Sequence, residues 1–288
     1  MLVSSLPRVR CRQIRAADTA AVVGLLGRGF QLRPRDYWQR ALATLAAHPT
    51  PEGLPKFGYL LESDERLVGV ILLIFSAIPA QGAATVRCNI SSWYVEPDFR
   101  SYAALLISQA MKHKNVTYVN ISPAMHTRPI IEAQGFAPYS RGQFVTLPAL
   151  AAAANEKADI IAGDPAENPD PVERNLMRVH RAYGCLGLWC VTAERAYPFV
   201  FMPRLVKGAI PCAQLIYCRG IDDFVQFARP LGRHLAVRGR PFVIVDSNGP
   251  VSGLPGRYFD GKSPKYFKGL ARPSFGDLAY TEAVMFGL

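Results

Sequence analysis

The chain has 288 residues, 50% hydrophobic and 19% charged, which is ordinary for a globular protein, is too apolar for a disordered one and allows one large domain or two ordinary ones. The net charge of +11 suits an anionic partner such as a nucleotide cofactor, an acidic substrate or RNA, but no run of basic residues resembles a nucleic-acid arm, so nucleic acid is not the favoured partner. No stretch approaches the roughly 20 apolar residues of a membrane-spanning helix, and the start of the chain, Met1 to Arg15, has no apolar signal core, so a cytoplasmic protein without membrane contact is expected.

The first strand is predicted at Cys11 to Arg15. Asp18 then caps a helix over Thr19 to Gly27, with Ala21, Val22, Leu25 and Leu26 on one face. A second helix follows Pro34 and runs to Ala47. Pro49, Pro51, Gly53 and Pro55 break the pattern. Strands at Phe57 to Glu62 and Leu67 to Ile78, joined by the polar turn Ser63 to Arg66, read as a hairpin. A third β-run covers Thr85 to Val95 and stops before Pro97. A helix over Ser101 to Lys112, a strand at Val116 to Ile121 and a short helix over Arg128 to Gln134 follow, the last ended by Gly135. A strand pair is predicted at Phe136 to Leu147.

Ala149 to Pro171 differs in composition and reads as a linker with room for a helix. Beyond it the pattern partly returns. A helix at Val172 to Tyr183 leads to strands at Cys185 to Thr192, Pro198 to Met202 and Cys212 to Cys218. A helix at Asp222 to Val237 and a strand at Phe242 to Asp246 come next. A Gly/Pro-rich loop, Ser247 to Gly256, precedes a turn or short helix near Lys265 and a last strand at Leu278 to Phe286. The β-β-β-α-β order matches the first half, so two tandem α/β halves with mixed sheets are expected.

The six cysteines form no CxxC pair and lack an accompanying pair of histidines. They read as buried reduced thiols, and no metal site is expected.

Three segments carry a resemblance. Leu67-Val68-Gly69-Val70-Ile71, Ser92-Trp93-Tyr94-Val95-Glu96-Pro97-Asp98-Phe99-Arg100 and Ile130-Ile131-Glu132-Ala133-Gln134-Gly135-Phe136 resemble, in order and spacing, three parts of the GCN5-related N-acetyltransferases. These are the third strand, the fourth strand with the entry to the acyl-CoA loop, and the fourth helix. The resemblance covers about the first 147 residues. It implies the acyl-CoA N-acyltransferase fold, with 1–148 as the acyltransferase domain, 149–171 as a linker and 172–288 as a degenerate second copy. It implies acetyl-CoA or another acyl-CoA as cosubstrate and an amine acceptor of unknown identity. Self-association is left open.

In that family a bulge parts the fourth strand from the fifth, and the pantetheine arm pairs with the exposed strand. The resemblance puts Trp93, Tyr94 and Val95 along the arm. It puts Arg100, Ser101, Tyr102, Ala103 and Ala104 at the pyrophosphate, on backbone N–H groups of the next helix. The family's glycine-rich loop is altered, because Ala103 replaces its first glycine. The tyrosine that usually protonates the leaving thiolate is replaced by Ile131, and Ala124 falls where an asparagine is common. His126, Tyr94 and Glu96 are the candidate catalytic residues, His126 as a substitute acid or base. The alternative roles are a solvent-facing histidine and a simple strand end at Glu96.

The second half has Asp222 and Asp223 where a phosphate loop would lie, so no CoA is expected there. Lys262, Lys265 and Lys268 beside Tyr258, Tyr266 and Phe267 form a basic-aromatic cluster or a solvated loop. Ser247-Asn248-Gly249-Pro250 reads as a turn. Two further functions remain open beside acyl transfer: a non-catalytic acyl-CoA or partner-binding module, and aminoacyl-tRNA-dependent transfer.

Overall fold

The computed structural model describes residues 8–78, 85–152, 158–165 and 170–287. The first residues of the chain and, within the expected linker, residues 153–157 and 166–169 lie outside them. The chain divides into two compact units. The first comprises Met1–Asn120, Lys268–Ala271 and Met285–Leu288, the second Ile121–Phe267 and Arg272–Val284.

The first unit opens with β1 (Val9–Gln13), followed by α1 (Thr19–Gly29) and α2 (Arg35–Ala47). Pro34 precedes α2, where a missing N–H costs nothing. β2 (Gly58–Ser63) and β3 (Arg66–Ile78) form the expected hairpin, with Asp64 and Glu65 at positive φ in its turn. β4 (Thr85–Val95), α3 (Ala103–Ala110) and β5 (Val116–Asn120) complete it. The strand order is β1-β2-β3-β4-β5. Pairing is antiparallel up to β4 and parallel between β4 and β5. β3 is apolar on both faces, and Val68 to Phe75 is buried without a break, as a central strand covered by helices requires. The helix expected from Ser101 begins at Ala103, because a 3-10 turn over Pro97–Tyr102 precedes it.

The second unit contains α4 (Arg128–Ala133), β6 (Ala137–Thr146), β7 (Asp159–Ile161), α5 (Pro171–Ala182), β8 (Leu186–Val191), β9 (Ala196–Val206) and β10 (Ile210–Tyr217). Then come α6 (Ile221–Gln226), α7 (Ala228–Ala236), β11 (Phe242–Ser247) and β12 (Gly256–Lys268). The order is β12-β6-β11-β10-β9-β8-β7. β6 pairs antiparallel with β11 on one side and β12 on the other. An aromatic cluster, Phe199, Phe201, Phe224 and Phe227, fills the core beneath α6 and α7.

Several expectations are corrected here. Phe136 to Leu147 forms one strand rather than a pair. Within 149–171, Asp159–Ile161 forms the short strand β7, which pairs with β8, while the Ala-rich stretch in which a helix had room lies partly outside the described residues. The helix predicted over Asp222 to Val237 breaks at Phe227. Pro230 lacks an N–H and its ring crowds the carbonyl of Gln226, so one continuous helix is not accessible. The region near Lys265 is the long strand β12, interrupted between Asp260 and Lys265 by a large bulge with Gly261 and Ser263 at positive φ. Leu278 to Phe286 is not a strand. Its residues are largely buried and end in a wide helical turn over Ala283–Gly287.

Five cysteines are buried and Cys11 is half-buried, all as free thiols. Burial pushes the Cys11 thiol up to about 11.

Candidate functional site

The site in the first unit grows from one irregularity. The parallel ladder between β4 and β5 runs from Val86↔Val116 to Asn89↔Val119 and ends there, while β4 continues through Ile90–Val95. On its other side β4 stays paired with β3, but the register steps from Leu72↔Ser91 to Val70↔Tyr94. Ile71 therefore faces two residues, Ser92 and Trp93, and Ser92 has φ 50. This is a β-bulge. A bulge of this kind bends its strand and increases its twist, and it lies just past the last pair with β5, which itself ends at Asn120.

Parting two buried strands strands their backbone groups, and a buried orphan costs about 1–3 kcal/mol. Asn89 answers this. It is 1% exposed, and its side-chain amide donates to the Val119 carbonyl at 3.3 Å and to Ile90 at 3.0 Å. Asn89 thus closes the ladder where the opening begins.

Past the bulge, Trp93 and Tyr94 are half-buried and Val95 is buried. The Tyr94 ring lies against Gly29 at the end of α1, and 6.3 Å from the ring of Phe30. Phe30 also meets Trp38, and Trp38 meets Tyr37. An aromatic wall therefore flanks the end of β4. Glu96 is 6% exposed. Its Oε1 accepts from Arg28 Nε and Nη2 at 3.1 and 2.9 Å, and its Oε2 accepts from Arg66 Nη2. Both carboxylate oxygens are engaged, which makes Glu96 the tie between α1 and the start of β3.

Arg100 and Ser101 are exposed and Tyr102 half-buried in the 3-10 turn, and Ala103 and Ala104 open α3. The Phe99 N–H donates to the Glu96 carbonyl and the Ala103 N–H to the Arg100 carbonyl. Those two donors are used within the turn and do not point at a ligand. Among the described residues Arg100 forms no ion pair.

His126 and Ile131 belong to the second unit. His126 is exposed in a turn, Met125–Thr127, while Ile131 is 1% exposed on α4. Gly135, at φ 86, ends α4, and the Phe136 N–H reaches back to the Ile131 carbonyl. The lysine cluster is divided: Lys262 is exposed, whereas Lys265 is 2% exposed and its Nζ donates to Asp246 Oδ1 at 2.6 Å. Asn248 does act in a turn, accepting from the Arg141 N–H and donating to the Tyr139 carbonyl.

Sequence reasoning missed the roles of Ser92, Asn89 and Gly29. Only Gly29 carried a signal, a glycine just before an aromatic residue at a helix end.

No family model matches the chain, and no curated protein matches it. Solved structures do. A GCN5-related N-acetyltransferase from Anabaena variabilis superposes with a TM-score of 0.59 at 11% identity, over 91% of this chain and 72% of that one. A GCN5-related N-acetyltransferase from Kribbella flavida gives 0.56 at 12% identity, over 91% and 71%. Eis1 from Mycobacterium abscessus gives 0.51 at 10% identity, over 91% and 73%. At such identities the likeness is one of fold.

Proposed function

We propose that this chain, which has the fold of the GCN5-related N-acetyltransferases, transfers an acyl group from an acyl-CoA to an amine, with the opening between β4 and β5 as the slot for the pantetheine arm. One observation carries the reading: the ladder stops at Asn89↔Val119 while β4 runs on past the Ser92 bulge. A strand edge released this way offers backbone amides to an extended ligand that carries amides of its own.

Trp93, Tyr94 and Val95 would line the arm. Arg100 would meet a phosphate as a charge-assisted partner. The fit is good along the strand and weaker at the turn, where the N–H groups of Phe99 and Ala103 are spent internally. Ser101, Tyr102 and Ala104 would border the phosphates.

In the reaction the amine nitrogen bonds to the thioester carbonyl carbon, the C–S bond breaks, and the sulfur leaves as a thiolate. The amine loses one proton and the thiolate gains one. Alignment of the two reactants supplies much of the rate. Tyr94, beside the aromatic wall, is the residue of the first unit we assign to the proton; His126 is kept as the candidate that the family resemblance implies. Glu96 has a positioning role through Arg28 and Arg66. We read 1–148 as the acyltransferase domain, 149–171 as its connection and 172–288 as a degenerate copy, in a cytoplasmic protein.

A second reading, an acyl-CoA-binding module without turnover, is supported by Ile131 at the family's acid position and by the internally bonded turn. Release of free CoA thiol from acetyl-CoA across an amine panel separates the two. Slow turnover, lowered in His126→Ala or Tyr94→Phe and raised in Ile131→Tyr, supports the enzyme. CoA binding without thiol release in any variant supports the module.

A further inference from the structure

The second unit contains a second opening, and it is filled. β10 and β11 run parallel from Cys212↔Phe242 to Gln214↔Ile244 and then part. Just beyond, Ile216 is an extra residue on β10, between the pairs Leu215↔Phe201 and Tyr217↔Val200. A parallel ladder that ends, followed by a bulge on the strand that continues, is also what opens β4 from β5.

Here the chain itself lies on the released edge. The Leu278 N–H donates to the Ile216 carbonyl at 2.7 Å, and the Cys218 N–H donates to the Gly276 carbonyl at 3.0 Å. Tyr217 and Asp277 face each other between these bonds as an antiparallel pair. Gly276–Leu278 is thus a short added strand on the edge of β10.

This segment is held at both ends. Gly276 has φ 75, and a Cβ there would stand 2.7 Å from Cys218 Sγ. Leu278 and Ala279 are buried. Thr281 Oγ1 donates to the Leu278 carbonyl at 2.7 Å. The Tyr280 N–H donates to His180 Nε2 at 3.2 Å, and His180 Nδ1 in turn donates to the Leu176 carbonyl of α5. At the strand-to-helix junction, where the first unit has Arg100–Ala104, α6 carries Asp222 and Asp223 in its first turn. Those carboxylates repel a pyrophosphate.

We infer that Gly276–Thr281 is the built-in occupant of a second pantetheine-type slot, so that the chain takes one CoA and not two, and that the second slot serves to hold this segment. The inference rests on reading the β4–β5 opening as the cofactor slot, and its test separates the two claims.

Amide hydrogen exchange of the full chain, with and without CoA, reads the segment directly. The Cys218 and Leu278 amides should exchange slowly in both conditions, because their bonds are internal. Calorimetric titration with CoA should give one site per chain. Gly276→Ala should speed exchange at both amides about tenfold or more, by forcing a methyl against Cys218, while the stoichiometry stays at one because Asp222 and Asp223 remain. Unprotected Cys218 and Leu278 amides in the wild-type chain, or two CoA per chain, would overturn the inference. Slow exchange at both amides with no CoA bound at all would leave the filled slot standing and sink the reading of the β4–β5 opening instead.

Discussion

The Tyr94 ring rests on the backbone of Gly29: a Cβ at residue 29 would lie 2.4 Å from Tyr94 Cγ. The last residue of α1 is therefore a glycine because the aromatic side chain at the end of β4 needs the space.

Gly29→Ala should destabilise the chain by about 1–3 kcal/mol, the usual effect of overpacking. In a Tyr94→Ala background the same change should cost little. Urea unfolding of the four proteins in this cycle measures the coupling. Equal costs in both backgrounds would show that the ring does not set the identity of residue 29.

Glu96→Gln leaves two guanidinium groups, Arg28 and Arg66, without their carboxylate. Because the arginines are more than half exposed, solvent screens part of the loss, and a cost of about 1–2 kcal/mol is expected. If Glu96 acts only by position, the pH profile of acyl transfer keeps its shape in the variant. A lost limb of that profile would instead make Glu96 a base.

Lys265 and Asp246 form an ion pair whose side chains are each 3% exposed. Lys265→Met should destabilise by about 3–5 kcal/mol, since it leaves a buried charge without a partner. Lys265→Met with Asp246→Leu should recover most of that loss. Thermal unfolding compares the three, and a double variant as weak as the single one would contradict the account.

Stability should also depend on pH through buried histidine. Burial lowers the His48 pKa below its usual 6.5, and the nearby Lys56 charge adds to this. His48 lies against Phe75 and Ser76 through Nε2. The unfolded chain then binds more protons below pH 6.5 than the folded chain does. The contribution is present above that pH and is lost as pH falls through the lowered folded value. His113 and His234 are shifted the same way. The melting temperature should fall between pH 7 and pH 5, and less steeply in His48→Gln. Identical slopes would remove His48 from the explanation.

Much of the first unit was legible in the sequence. The hairpin from Gly58 to Ile78 and the strand from Thr85 to Val95 follow from β-branched runs cut by turn residues. The family resemblance implied a bulge in this strand, but its position was not legible, because Ser92 adopts positive φ without the glycine that usually marks it. In β12, Gly261 and Ser263-Pro264 sent a turn signal that the structure spends inside a strand, as a bulge. The buried run from Leu278 read as a strand because apolar residues alone do not separate a strand from a packed irregular segment. Lys265 looked solvated, since a buried lysine is unexpected until its partner Asp246 is seen beside it.

The most direct measurement is a crystal structure of the full chain grown with CoA. The account predicts the pantetheine arm along Ile90–Val95, between β4 and β5, with a phosphate near Arg100 and Gly276–Leu278 still in place on β10. CoA seated on the edge of β10, or a β4–β5 opening that stays empty at saturating CoA, would contradict it.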